Sequence, residues 1–441
     1  MLPAIDHFVA DFRNRAASLP GSATPWVERM RRLALEQFAE RGFPSPHEED
    51  WKYTNVEPIA RHQFKTRPRA IPSVSAEEVA RLSFGERGST HLLVFVDGVF
   101  APALSRLGAL PGGAVVASLA QILAQEPARV EPFLAHSAAQ TPFAALNTAF
   151  CSEGVVILVP RGVAIESPIH LLYLTTSADG VTHPRTLVVA EEGAQATVIE
   201  HHNGPDGTTY FSNAVTQLQL GANASIEHYK LQSEGDRAFH VAAIQSRLDR
   251  DSRYRSHSIA LGAALARTDI AATLGGAGCE CTLNGLYLAR DSQLVDHHAL
   301  IDHAKPHGTS RVFYRGILDG AARGVFAGRV LVQKGAQKTD AHLANHNLLL
   351  SQNAEVDTKP QLEIYADDVK CGHGTTIGQL DENMLFYLRS RGISRDLAGA
   401  LLVYAFAHDV IGRIAFVPLR ERLEEALLAR LPEGRLIREY A

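Results

Sequence analysis

The chain has 441 residues, 46% of them hydrophobic and 21% charged, and its 43 Lys+Arg against 48 Asp+Glu give a net charge of −5. This composition supplies a large buried core and excludes a disordered or low-complexity chain. There is no global cationic field to attract phosphate backbones or anionic lipid, so nucleic acid and membrane surfaces are not expected partners.

At the N-terminus, MLPAIDHFVADFRNRAASLP interrupts each apolar run with charge and carries no signal-peptide pattern. No later apolar stretch reaches the length needed to cross a bilayer, about 20 residues. Cys151, Cys279, Cys281 and Cys371 are too few for a disulfide scaffold of this size and suit a reducing compartment. A cytoplasmic protein with free thiols is expected.

From Leu2 to Phe43 apolar residues recur at helical spacing, with Ile5, Phe8, Val9 and Phe12 in one stripe and Val27, Met30, Leu33, Ala34 and Phe38 in another. Two helices are predicted, divided at Pro20-Gly21, with Gly42 at the C-cap of the second. The polar segment PSPHEEDWKYTNVEP follows as an irregular connector that docks through Trp51 and Tyr53. Residues 1–88 form this N-terminal helical domain and connector.

Past His91 the texture changes to short Val/Ile/Leu runs broken by Gly, Asn, Asp and Pro, which reads as strands. Aligning the turns places Gly193, Gly221 and Asp251 at steps of 28 and 30 residues, and Gly262, Asp291 and Gly320 at steps of 29 and 29. Strand, tight turn and strand at a near-constant period are the signature of a stacked β-solenoid; a β-sandwich is the alternative. The solenoid is assigned to residues 89–378, its end coils capped by helical regions. After Gly378 helical periodicity returns, and residues 379–441 form a C-terminal helical domain of three helices from about residue 381. The apolar surface of ALLVYAF either packs on the solenoid or receives a partner.

Motifs narrow the chemistry. There is no G-x-x-x-x-G-K-[ST], no G-x-G-x-x-G, no G-x-S-x-G and no H-E-x-x-H, which disfavours an autonomous nucleotide enzyme or a common hydrolase. The last third instead concentrates Cys279, Cys281, His297, His298, His303, His307, His342, His346, Cys371 and His373. In a strand, residues two apart share a face, so Cys371 and His373 in DVKCGHGTT could present a thiolate and an imidazole together, a soft-ligand pair for iron, zinc or an iron–sulfur cluster. Gly372 and Gly374 leave the strand bare around them, and Asp367 and Asp368 precede them with oxygen ligands. The alternative is a structural Cys371 and a hydrogen-bonded His373. Cys279 and Cys281 read best as small core residues, most imidazoles of DHHALIDHAKPHGTS as solvated or bonded to turn carbonyls, and His342 and His346 as candidates for an interface.

The stretch KTDAHLANHNLLLSQNAEVDTKPQLEIYADDVKCGHGTTIGQLDENMLFYLRSRGIS closely resembles the C-terminal signature of the SufB/SufD family of the Suf iron–sulfur cluster assembly machinery. GVVILVPRGVAIESPIHLLYL resembles the segment that opens the family's β-helix, and EEDWKYTN its W-[KR]-Y-T element. The histidine two after Cys371, the modest length and the single cysteine before residue 279 place the chain on the SufD side of the family. The resemblance implies a mainly β fold, a right-handed parallel β-helix flanked by N- and C-terminal α-helical domains. It also implies a non-enzymatic scaffold that pairs with SufB through the β-helices and binds the SufC ATPase through the C-terminal helices. His373 and Cys371 then match family positions at the SufB interface, His373 being the first candidate for an iron or cluster ligand. No tightly bound cofactor is expected on the isolated chain, only transient iron or an Fe–S cluster in the complex, and a homodimer is open to the isolated chain. SufC dimerising on ATP would pull on the C-terminal bundles and shift the coils. A metal-dependent β-helix enzyme acting on an extended polymer is the competing function, with Asp367-Asp368 as its only hint.

Overall fold

A computed structural model describes residues 2–66, 74–85, 88–135 and 141–437. The centre is a parallel β-solenoid built from two sheets. Sheet 1 carries in spatial order the strands Gly154–Val159, Arg185–Ala190, Phe211–Leu220, Phe239–Leu248, Leu265–Leu274, Leu294–His303, Arg323–Val332 and Glu355–Ile364. Sheet 2 carries Ile169–Leu174, Gln195–Asn203, Ser225–Ser233, Arg253–Ala260, Glu280–Ala289, Thr309–Leu318, Asp340–Leu349 and Lys370–Gly378. The chain alternates between the sheets, so each coil contributes one strand to each, and eight coils stack.

The inferred period is the real one. In sheet 2, Ser225, Arg253, Glu280, Thr309, Asp340 and Lys370 lie in register, 27 to 31 residues apart. The two turn series found in the sequence are the two corners of the coil. At the first corner Gly193, Asn223, Asp251, Gly278, His307 and Lys338 all adopt positive φ, and the N–H of each bonds to a carbonyl of the next coil. Gly193 and Asp251 of the sequence repeat take this left-handed conformation, which Gly, Asn and Asp tolerate best, while beside Gly221 it falls on Asn223. The second corner holds Ala263, Asp291 and Gly320 at φ of 71, 56 and 67°.

The interior between the sheets is one continuous core running from Leu93 and Phe95 to Ala354 and Ala366. Alternation along each strand sends every second side chain inward, where it stacks on its in-register neighbours. Helices cover part of the outer faces.

Helices Leu2–Arg15 and Pro25–Arg41 form where the apolar stripes predict them, and Gly42 ends the second at φ 67° with its N–H on the Phe38 carbonyl at 2.8 Å. Phe8, Phe38 and Phe43 join the wholly buried helix Pro142–Phe150 and pack on Phe211, Val241 and Leu265 of sheet 1. That helix, with Leu119–Gln125 and Glu131–Leu134, lies inside the 89–378 stretch assigned to strands. Its signals were present: Ser118 and Thr141 cap two of these helices through the N–H groups of Gln121 and Ala144.

The C-terminal helices Glu382–Ser390, Arg395–Ile411 and Val417–Leu428 also form as predicted. ALLVYAF packs on the solenoid: Val403, Ala407, Val410 and Ile411 bury against Tyr229, Leu231, Ile259, Leu286, Ile317 and Leu348 of sheet 2.

Helical caps on both ends of the solenoid were expected, and this is corrected. The helical regions lie along the flanks, helices Leu2–Arg15 and Pro25–Arg41 on sheet 1, Ala76–Leu82 on the first coils of sheet 2 and the C-terminal helices on sheet 2, because the outer faces they cover are apolar. At the first coil, Val115–Ser118 pairs antiparallel with Gly154–Val159, and the hairpin strand Val99–Phe100 pairs with His91–Val96. At the last coil, among the described residues, no strand follows Glu355–Ile364 or Lys370–Gly378.

Candidate functional site

Cys371 and His373 lie on the final strand, Lys370–Gly378, in register with Ala341 and Leu343. The His373 position descends through Val198, His228, Ser256, Leu283, Val312 and Leu343, all buried inward residues. The Cys371 position descends through Ala196, Ile226, Tyr254, Cys281, Ser310 and Ala341, also buried. Both residues therefore occupy core positions of a coil that no further strand follows among the described residues. His373 is exposed and Cys371 half-buried for that reason alone. Ile364 and Ile377, inward positions of the same coil, are 41% and 50% exposed.

Burial pushes the Cys371 thiol above its ordinary pKa, and the Asp340 carboxylate adds to the shift. A free thiol is therefore favoured there until a cation stabilises the thiolate. A β-carbon on Gly374 would meet nothing within 4 Å, and one on Gly372 would only touch His342 at 3.5 Å, so another backbone can approach closely. Among the described residues no group of three or more His, Cys, Asp and Glu is arranged to hold a metal ion. A single thiol and a single imidazole on an open edge do not by themselves complete a metal site.

The other predicted residues separate. His342 and His346 sit in the alternate register, facing the outer side of sheet 2: His342 pairs with Asp340 at 3.2 Å, and Nδ1 of His346 lies 2.8 Å from the Thr376 hydroxyl. Asp367 and Asp368 are at an exposed turn, Asp368 ion-paired with Lys338. Cys279 and Cys281 fill the core, where burial raises both thiols.

The reading of DHHALIDHAKPHGTS is corrected. It is mostly a strand, so His297 and His303 point inward and are buried, His303 against the Ser310 hydroxyl at 2.8 Å, and His298 pairs with Asp296 at 3.1 Å. Only His307, at a corner, is exposed.

Two polar constellations were missed. In the interior, Glu234 accepts from Ser212 at 2.5 Å and lies 2.7 Å from Nδ1 of His240, whose Nε2 lies 2.7 Å from Nζ of Lys230. Burial lowers Lys230 to about 8, while Glu234 and Glu200 pull the other way. The signal was the alternation in VIEHH and IEHYKLQ, one period apart, which puts Glu200 beside Lys230 in register. The second constellation fixes the connector. Trp51 is buried under the Arg267 guanidinium, 3.6 Å from the ring centroid, and Arg267 donates to the Asp50 carbonyl and to Asp296 at 2.7 Å each. The Thr54 hydroxyl donates to Asp296 at 2.6 Å. Burial alone would raise the Asp296 carboxyl; Arg267 and His298 outweigh it and hold it well below the carboxylate range. This is the docking expected of W-K-Y-T, with Trp51 as the anchor.

With this geometry established, two family models match nearly the whole chain: the SufBD protein N-terminal region over residues 4–171 and the SUF system FeS cluster assembly SufBD core domain over residues 173–406. The chain belongs to the SufBD family. The Escherichia coli iron–sulfur cluster assembly protein SufD is 33% identical over 404 residues, covering 91% of this chain and 92% of that protein. A SufBD family protein of Synechocystis is 32% identical over 425 residues, covering 94% and 93%, and SufD of Bacillus subtilis is 24% identical over 409 residues, covering 90% and 92%. This SufBD-family chain is thus a SufD homologue, an iron–sulfur cluster assembly protein. None of its described helices is long and apolar enough to cross a membrane.

Proposed function

We propose that the chain is a non-enzymatic scaffold of the Suf machinery whose last coil is completed by a sister solenoid, SufB, with iron or a nascent cluster held transiently in the seam by His373 and Cys371. The observation that carries this reading is that His373 occupies a core position laid bare by the end of the solenoid. A partner coil stacking there would cover Ile364, Ile377 and the bare backbone edge. It would also remove water from the thiol–imidazole pair, which strengthens their interaction with a cation. Imidazole in place of a second thiolate keeps the cargo releasable.

The C-terminal bundle is the proposed seat of the SufC ATPase. Its first helix leaves Met384, Phe386 and Tyr387 at 55, 72 and 57% exposure, a cluster of anchor side chains of the kind that dominates protein interfaces. Nucleotide-driven movement of SufC would then shift the bundle and reset the seam.

Co-purification with SufB and SufC followed by anaerobic reconstitution tests the reading. Wild-type complex should acquire iron and sulfide, and His373→Ala complex should assemble normally but load them at a markedly lower rate. Loading of His373→Ala complex at the wild-type rate would overturn the ligand role.

A further inference from the structure

One line of contacts joins the C-terminal bundle to the strand that bears Cys371 and His373. On the outer face of sheet 2, Leu231, Ile259 and Leu286 are buried under the bundle, and the same register continues as Arg315, His346 and Thr376. Along this one row the side chains are apolar up to Leu286 and polar from Arg315 onward, while Ile317 and Leu348 beside it stay buried under the bundle.

Arg315 is gripped by the helix Arg395–Ile411. Its Nη1 donates to the Phe406 carbonyl at 2.9 Å, its guanidinium pairs with Asp409, and its plane lies 4.2 Å from the Phe406 ring centroid. The Arg315 side chain is 16% exposed but Asp409 is 58% exposed, so the ion pair is solvent-screened and the bond to the Phe406 carbonyl gives the grip its direction. Arg413, past the end of that helix, lies 3.9 Å over Phe313 and donates to Asn284 at 3.3 Å. Phe313 meets the His346 ring edge-on with centroids 5.9 Å apart. His346 Nδ1 is 2.8 Å from the Thr376 hydroxyl, and the Asn347 amide donates to the Thr376 carbonyl at 3.5 Å. Apolar faces can slide with little change in contact, whereas a fork of directional bonds at a helix end moves with the helix.

We infer that Arg315, His346 and Thr376 form a coupling file that sets the seat of the last strand according to the position of the C-terminal bundle, with His346 as the positioning residue. The functional value of this file rests on the proposed use of the last coil, but the coupling itself is a property of the isolated, metal-free chain and stands or falls separately.

Cys371 supplies the readout, because it is the one cysteine that is not buried; Cys151, Cys279 and Cys281 all are. The alkylation rate of Cys371 by iodoacetamide, located by peptide mass mapping, is measured in the full chain. Asp409→Asn and His346→Ala should each change that rate by about two- to thirtyfold, the usual span of coupling effects. The double variant should match His346→Ala alone, since the route is already cut. Thr376→Val should behave as His346→Ala, and Thr376→Ser should restore the wild-type rate. Arg395→Ala, which removes the exposed pair with Glu382 outside the file, should leave the rate unchanged. Unchanged rates in Asp409→Asn and Thr376→Val, or strictly additive effects in the double variant, would overturn the file. Labelling of the three buried thiols identifies any variant that unfolds, and Thr376→Val, at an exposed position, then carries the test.

Discussion

His373 stands in register beside Leu343, one coil apart at the same inward position, yet Leu343 is buried and His373 is open to solvent. The difference lies in the next coil, which covers Leu343, whereas among the described residues none stacks on His373. Leu343→Ala is expected to cost about 2–5 kcal/mol, as for other buried leucines, while His373→Ala stays within about 0.5 kcal/mol of wild type. Urea denaturation of the two variants checks this contrast, and a comparable loss from His373→Ala would mean that the residue is packed.

Stability should fall with acid well above the carboxylate range. Burial depresses His183 and His297 to about 3 and His303 to about 4, from 6.5 in an unfolded chain. As pH falls below 6.5 the unfolded state takes up protons that the folded state refuses, so the stabilisation is complete above that pH and is lost progressively toward pH 4. Urea midpoints measured from pH 7.5 to 4.5 should decline, and His297→Leu should flatten the decline by one proton. A pH-independent midpoint across that window would contradict the neutral buried imidazoles.

The connector's hold should depend on Arg267 far more than on the exposed pair between Lys359 and Glu49. Arg267→Leu leaves Asp296 buried without its cation, a change expected to cost about 3–5 kcal/mol. Lys359→Met should leave Tm unchanged. Differential scanning calorimetry, with limited proteolysis across residues 44–58, distinguishes release of the connector from general loss of stability.

Glycines of the solenoid divide by what a side chain would meet. The Tyr287 hydroxyl reaches across Gly316 to Asn347, and a β-carbon on Gly316 would strike both side chains. Gly316→Ala is therefore expected to lose about 1–3 kcal/mol by overpacking. Gly374→Ala adds its carbon to open space on the outer side of the last strand and should be neutral in the isolated chain. Thermal melts of the two variants decide the point, and a matching loss in Gly374→Ala would show that the face is covered.

Much of this was legible one residue at a time. The 28- to 30-residue turn spacing marked the coils, because only residues tolerant of positive φ sit comfortably at a corner such as Asp251 or Asp291. The helical stripes marked both ends of the chain, and the alternation of Cys371 with His373 placed the two on one face. The His297–His303 segment was misread because a polar side chain inside a strand looks like surface until its register is known. The helices at 119–150 escaped because short capped segments were absorbed into the strand texture around them.

The sequence by itself determined the solenoid, its period and the helical ends of the chain, which follow from local conformational preference and repeat length, and its long signature segments carried the resemblance to the family. Only the tertiary structure decided which faces the helices cover, that no described strand stacks on the final coil, and that Arg315, His346 and Thr376 stand in one outward row with Arg315 paired to Asp409. The physical reason is that burial belongs to a pair of neighbours. A residue's own pattern shows which way it points, but whether that direction leads into a core or into water depends on a coil that is present at one position and missing at the next.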